Sequence, residues 1–175
     1  WNAVLAGTAA VAVAAVGSVE MHRLGAKNRL LSTPPSHKRL LFGTSIEIVL
    51  GVLAFIALLT YLIAVEGTLL TQLFGANPPI PVVYLTLLIL WDLTYRIGTS
   101  WWSAVVALWR AVHLDLPTDE AASARRLDAE NIGFSVLQLA LVPFLLDEPI
   151  LLGAVVGHVL AVAVVCSAAI LLTRP

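Results

Sequence analysis

Five apolar blocks, separated by short stretches of polar and helix-breaking residues, divide the chain. They fall at about residues 2–19, 40–65, 80–108, 127–146 and 150–172. Each is near the ~20 residues a helix needs to cross ~30 Å of hydrocarbon. Within a block the apolar residues run on continuously, without the short period of a half-buried helix or strand, which is the pattern of membrane spans. The breaks carry turn chemistry: Ser32-Thr33-Pro34-Pro35-Ser36, Gly75-Ala76-Asn77-Pro78-Pro79, Leu116-Pro117-Thr118-Asp119 and Asp147-Glu148-Pro149. Thr118, followed by Asp119 and Glu120, is a helix start, so the fourth span is expected to begin as a cytoplasmic helix near residue 119. The pattern predicts an all-α, polytopic membrane protein, a single bundle of about five transmembrane helices over residues 1–175.

Charge orients this bundle. Arg23, Lys27, Arg29, Lys38 and Arg39 lie between the first and second spans, Arg110, Arg125 and Arg126 between the third and fourth, and Arg174 after the fifth. Nine of the ten basic residues therefore share one side, which the positive-inside rule assigns to the cytoplasm. The expected topology has cytoplasmic loops at 20–39 and 109–126, the N-terminus outside and the C-terminus inside, in a multi-pass protein of the cell membrane. The opposite loops hold Glu66, Asp147 and Glu148. The alanine-rich stretch 1–19 has no preceding basic region and is longer than a signal-peptide core, so it is read as a span. The chain begins at Trp1, and a preceding segment could add a sixth span.

Composition agrees with the pattern. The chain is 59% hydrophobic and 12% charged, with a mean hydropathy of +0.94, against about 25% charged in ordinary soluble domains. A net charge of −1 points away from nucleic acid, leaving the lipid bilayer, a second copy or another membrane protein as expected partners. Cys166 stands alone inside an apolar block, so no disulfide framework or cysteine metal motif is formed, and it reads as a small core residue. Two lysines against eight arginines suggest a GC-rich prokaryotic genome.

Against this background the membrane-depth polar residues stand out, because ionisable groups there are costly unless paired or hydrated. Asp92, Tyr95, Arg96, Thr99, Ser103 and Arg110 share one face of the third helix at 100° per residue. Asp92 and Arg96 are spaced for an i, i+4 ion pair, with Tyr95 placed to hydrogen-bond to it. That stripe is either a structural pair buried against neighbours or the lining of a hydrated path. Glu47 comes to a depth like that of Arg96 on the second span, beside Gly51, Ala54 and Leu58, small enough in part for another helix to approach closely. His158 on the fifth span is expected within one helical turn of Asp92 in depth, either as a proton-accepting group or as a neutral hydrogen-bonded imidazole. His22, His37 and His113 all lie at the cytoplasmic end, which leaves His158 without a second axial ligand for haem; no cofactor is expected.

Gly153, Gly157 and Ala161 recur every four residues, a small-residue pattern suited to helix packing within the monomer or between copies, and Ala3, Gly7, Ala10 and Ala14 give the first span a similar face. Pro143 should bend the fourth span beside Gln138, a weak hinge or polar lining. Trp101, Trp102 and Trp109 fit a cytoplasmic interface belt, while Trp91 could shield Asp92 from lipid. The stretch TDEAASARRLDAEN reads as a solvated helix extension or a docking site for a soluble partner.

No zinc-protease, nucleophile-elbow, paired-aspartate or phosphate-loop motif is present, so an enzyme would have to be assembled from Glu47, Asp92, Arg96 and His158 alone. Two other classes remain, of which the sequence favours the first, with the second as its alternative. One is a small protein conducting protons or small ions along His158, Asp92, Arg96 and Glu47, a group with one excess negative charge that a proton or cation would balance. The other is a non-transporting subunit or scaffold whose polar residues fasten helices.

Overall fold

The computed structural model describes residues 75–174, 46–64 (of residues 46 and 47 the backbone only) and the scattered positions 5, 8–9, 11–13, 15–17, 19, 22–23 and 26–27. The side chain of Glu47, the small face of the first span and the break at 32–36 lie outside the described residues. The described residues are helical apart from short connections and contain no strand. They comprise α1 (Ile46–Ala64), α2 (Ile80–His113), α3 (Thr118–Leu137) running into a 3-10 helix (Gln138–Phe144), and α4 (Pro149–Leu172). The described positions between 5 and 27 are helical too, and are called the N-terminal segment.

Helix boundaries follow local chemistry. Gly75 takes a positive φ of 81° in the turn before α2, a conformation open to glycine at little cost. Prolines sit at the first positions of α2 and α4, where a missing N–H removes nothing from the helix. α3 starts at Thr118 with Asp119 and Glu120 in its first turn, complementing the helix dipole. Pro143 lies inside the 3-10 helix, so the fourth apolar block is two pieces instead of one bent α-helix.

α2 and α4 are long and apolar enough to cross a membrane. Side chains on α2 such as Ile80, Tyr84 and Leu85 are widely exposed, as lipid-facing residues would be. Pairs of contacting residues give the directions. Gly51 meets Tyr95 and Phe55 meets Trp91, so α1 runs antiparallel to α2. Arg110 with Asp128 and Ser100 with Ser135 make α3 antiparallel to α2. Arg125 with Thr173, Asn131 with Cys166 and Gln138 with His158 make α4 antiparallel to α3. Gly17 beside Phe134 and Arg23 on Glu130 set the N-terminal segment antiparallel to α3.

Lipid offers apolar side chains as good a home as protein does, so close backbone approach and polar contacts hold such helices together. Both are visible. A Cβ on Gly51 would stand 3.0 Å from the Tyr95 Cα, and one on Gly17 would stand 2.5 Å from the Phe134 ring. Between α2, α3 and α4 the fully buried side chains are small or polar: Ala104, Val162, Cys166, Ser100, Asn131 and Ser135.

Candidate functional site

Among the described residues, two polar systems lie inside the bundle. The first is the pair of Asp92 and Arg96 on α2. One turn of helix separates them, and Arg96 donates Nε to Oδ2 at 2.8 Å and Nη2 to Oδ1 at 2.6 Å. The guanidinium is buried, whereas the Asp92 side chain is 39% exposed. Arg96 Nη1 lies 2.9 Å from where a Gly17 Cβ would be, so the absence of a side chain at Gly17 makes room for the guanidinium. Thr99 donates to the Arg96 carbonyl at 3.0 Å. Tyr95 turns to α1: its ring stacks on Trp91, and Trp91 meets Phe55 edge-on at 5.4 Å. Trp91 and Tyr95 are thus α1-packing residues, and Ser103 is half-buried.

The second system is a column of buried polar side chains between α2, α3 and α4. At the end nearest the connection between α2 and α3, Arg110 Nη2 donates to both oxygens of Asp128, at 2.8 and 2.9 Å. Farther along, Ser100 Oγ donates to Asn131 Oδ1 at 2.9 Å, and Asn131 Nδ2 donates to the Ser100 carbonyl at 3.1 Å and reaches Cys166 Sγ at 3.5 Å. Ser135 Oγ bonds to the Asn131 carbonyl and lies 3.2 Å from Ser100 Oγ. The column ends where Gln138 Nε2 comes within 3.4 Å of His158 Nε2. His158 Nδ1 is buried without a hydrogen-bond partner.

The positions singled out from sequence therefore separate. Asp92 and Arg96 come together. His158 lies against Gln138 and Trp101, with ring centroids 6.2 Å apart for the latter. Trp101 is nine residues beyond Asp92 on α2, roughly 13 Å along the axis at 1.5 Å per residue. The reason is stagger: α2 has 34 residues and α4 has 24, and with Trp101 level with His158 the start of α2 lies well beyond the start of α4. Counting each residue from the outer end of its own helix brings Asp92 and His158 level, but those ends are not level. Gly153 and Gly157 are exposed, with nothing within 4 Å of an added Cβ, and Ala161 is half-buried.

Asp128, Asn131, Ser100 and Ser135 are the residues that sequence reasoning missed. The stretch containing Asp128 reads as solvated, yet Ala121, Ala124, Asp128 and Asn131 are buried. A signal was available: Ala121, Ala124, Asp128, Asn131, Ser135 and Gln138 follow one another at alternating steps of three and four, the spacing of a helix seam. Small and polar residues on such a seam mark packing in a membrane bundle as surely as apolar ones mark it in water.

Among the described residues no group of three or more His, Cys, Asp or Glu side chains is arranged to hold a metal. The buried polar groups are spent largely on one another, an arrangement suited to fixing helix register. No curated protein and no solved structure matches the chain. A family model does match, over residues 1–169, and the chain belongs to that family, the family of unknown function DUF7530.

Proposed function

We propose that this chain is a multi-pass protein of the cell membrane that acts as a non-transporting subunit or scaffold, with internal polar residues that fasten its helices in one register. The observation that carries this reading is pairwise neutralisation: the buried guanidinium of Arg96 is matched by Asp92, and that of Arg110 by Asp128. A conducting path needs groups that exchange partners, whereas these ions are committed to each other within one turn or across one helix contact. Asn131 is similarly committed, with both side-chain atoms engaged.

Five spans, with the N-terminus outside and the C-terminus in the cytoplasm, are the topology we propose. Support comes from the alternation of helix directions from the N-terminal segment to α4, and from Arg23, Lys27, Arg110, Arg125, Arg126 and Arg174 falling at one end of those helices. Single cysteines introduced at residues 76 and 119 into a Cys166→Ala background, labelled in intact cells by an impermeant maleimide, test it. Residue 76 should label from outside and residue 119 only after permeabilisation.

Ion or proton conduction is the second reading, favoured by the buried, unpartnered Nδ1 of His158. Proteoliposomes carrying a pH gradient and a membrane potential decide between the two. The scaffold reading expects dissipation no faster than in empty vesicles. Protein-dependent flux that disappears in the Asp92→Asn or His158→Gln protein, with folding retained, would establish the conducting path instead.

A further inference from the structure

We propose that Arg23, Lys27 and Arg126, gathered around Glu130, form a binding site for the phosphate headgroup of an anionic phospholipid at the cytoplasmic face. The proposal rests on the membrane orientation given above. Three cations share one carboxylate here. Arg23 Nη2 lies 2.5 Å and Arg126 Nε 3.3 Å from Glu130 Oε1, while Lys27 Nζ stands 3.8 Å from Oε2. Lys27 and Arg126 alone already exceed the single negative charge of Glu130. This differs from the Arg110 and Asp128 pair, which is balanced one to one and buried.

Glu130 draws the three side chains together from two helical segments, and its one charge cannot balance both Lys27 and Arg126. Its own side chain is 18% exposed, whereas those of Arg23, Lys27 and Arg126 are 44%, 42% and 76% exposed. Arg126 spends its Nε on Glu130 and keeps its two amino groups for another acceptor. The Lys27 ammonium is too far from Glu130 for a hydrogen bond. Guanidinium and ammonium donors converging from two sides suit the oxygens of a phosphate.

Depth and surroundings select a lipid over a free anion. Arg125 donates to the carbonyl of Thr173, just past the end of α4, and so marks the edge of the apolar region. Glu130 is five residues farther along α3, roughly 7 Å inward, and the cluster straddles that edge, where headgroup phosphates lie. Inward from it, Val16 and Val19 on the N-terminal segment and Val136 and Leu137 on α3 are exposed apolar residues. A ligand with a negative head and apolar tails matches both parts, and basic residues at the cytoplasmic surface attract anionic lipid in this way.

The test uses the purified full chain in nanodiscs of phosphatidylcholine alone or mixed with phosphatidylglycerol, and compares it with the double variant K27Q/R126Q. Both substitutions are at partly exposed positions outside the bundle core. Lipid retained on release from mixed nanodiscs, read by native mass spectrometry, should favour phosphatidylglycerol, and this preference should fall by about five-fold for each cation removed. Glu130→Gln, which keeps the cations and removes their competitor, should raise the preference. Equal retention of the two lipids by the parent chain, or a preference unchanged in K27Q/R126Q, would overturn the site. Inorganic phosphate protecting the protein in phosphatidylcholine discs as well as phosphatidylglycerol does would overturn the lipid assignment. A chain that enters neither kind of disc would sink the membrane reading itself, whereas entry without headgroup preference would sink this proposal alone.

Discussion

Arg110 on α2 places one amino group between the two carboxylate oxygens of Asp128 on α3, at 2.8 and 2.9 Å, with the two side chains only 2% and 4% exposed. The pair bridges the antiparallel helices that flank the short connection at residues 114–117. It therefore fixes how far one helix can slide against the other.

Removing one partner leaves a buried charge without its counterion, which costs about 3–5 kcal/mol. Asp128→Leu or Arg110→Met should each lower unfolding stability in mixed micelles by that order. The double replacement Arg110→Met with Asp128→Leu should recover most of the loss, because buried ion pairs exchanged for packed apolar residues are often neutral or better. Chemical denaturation of the four proteins supplies the cycle. Additive losses would show that the two residues do not act as a pair.

Asn131 links two neighbours at once, through the Ser100 hydroxyl and carbonyl on α2 and Cys166 on α4. Hydrogen bonds between membrane helices are worth about 0.6 kcal/mol on average and ~1.7 at most. Asn131→Ala removes several together and opens a gap, so a loss of about 1–3 kcal/mol is expected. Ser100→Ala should cost less, since Asn131 keeps the Ser100 carbonyl. The same unfolding experiment ranks them, and a larger loss for Ser100→Ala would contradict this account.

Glycines should divide by what faces them. A Cβ on Gly51 would meet the Tyr95 backbone at 3.0 Å, and one on Gly17 would fall 2.5 Å from Phe134, so Gly51→Val and Gly17→Ala should push helices apart and lower thermal stability. Gly153→Ala and Gly157→Ala meet nothing within 4 Å and should not lower the monomer's melting temperature, since alanine favours the helix over glycine. Their effect on oligomeric state can be read separately by crosslinking in the membrane.

Cys166 is fully buried in the cluster with Ala104 and Val162 and is the chain's one cysteine. It should resist a thiol-reactive fluorophore while the bundle is folded and react as the bundle opens. The temperature of that reaction should coincide with the loss of tertiary signal measured independently. Labelling well below that temperature would show α4 leaving the bundle first.

Much of this architecture is legible from the chain alone, for identifiable reasons. α2 and α4 are recognisable as helices long and apolar enough to cross a membrane because length and continuous apolarity are properties of a segment by itself, and the Asp92 with Arg96 pair is recognisable because both members sit one turn apart on one helix. α3 is harder. Its seam is built from alanine, serine, asparagine and aspartate, residues that look solvated when each is judged by its own polarity. Only the three-four spacing, set beside Ser100 and Arg110 on α2, shows them as an interior face.

The sequence by itself pointed to an all-helical chain with five candidate spans, of which two, among the described residues, are helices long and apolar enough to cross a membrane, and it showed where the basic residues cluster. The tertiary structure decided which polar groups meet. Helix stagger put His158 beside Gln138 and Trp101, roughly two and a half turns from Asp92, and packing put Asp128 opposite Arg110. The physical reason is that hydropathy and local spacing are fixed along one helix, whereas axial offset between helices is set by contacts across many residues, each too weak to be read from its own segment.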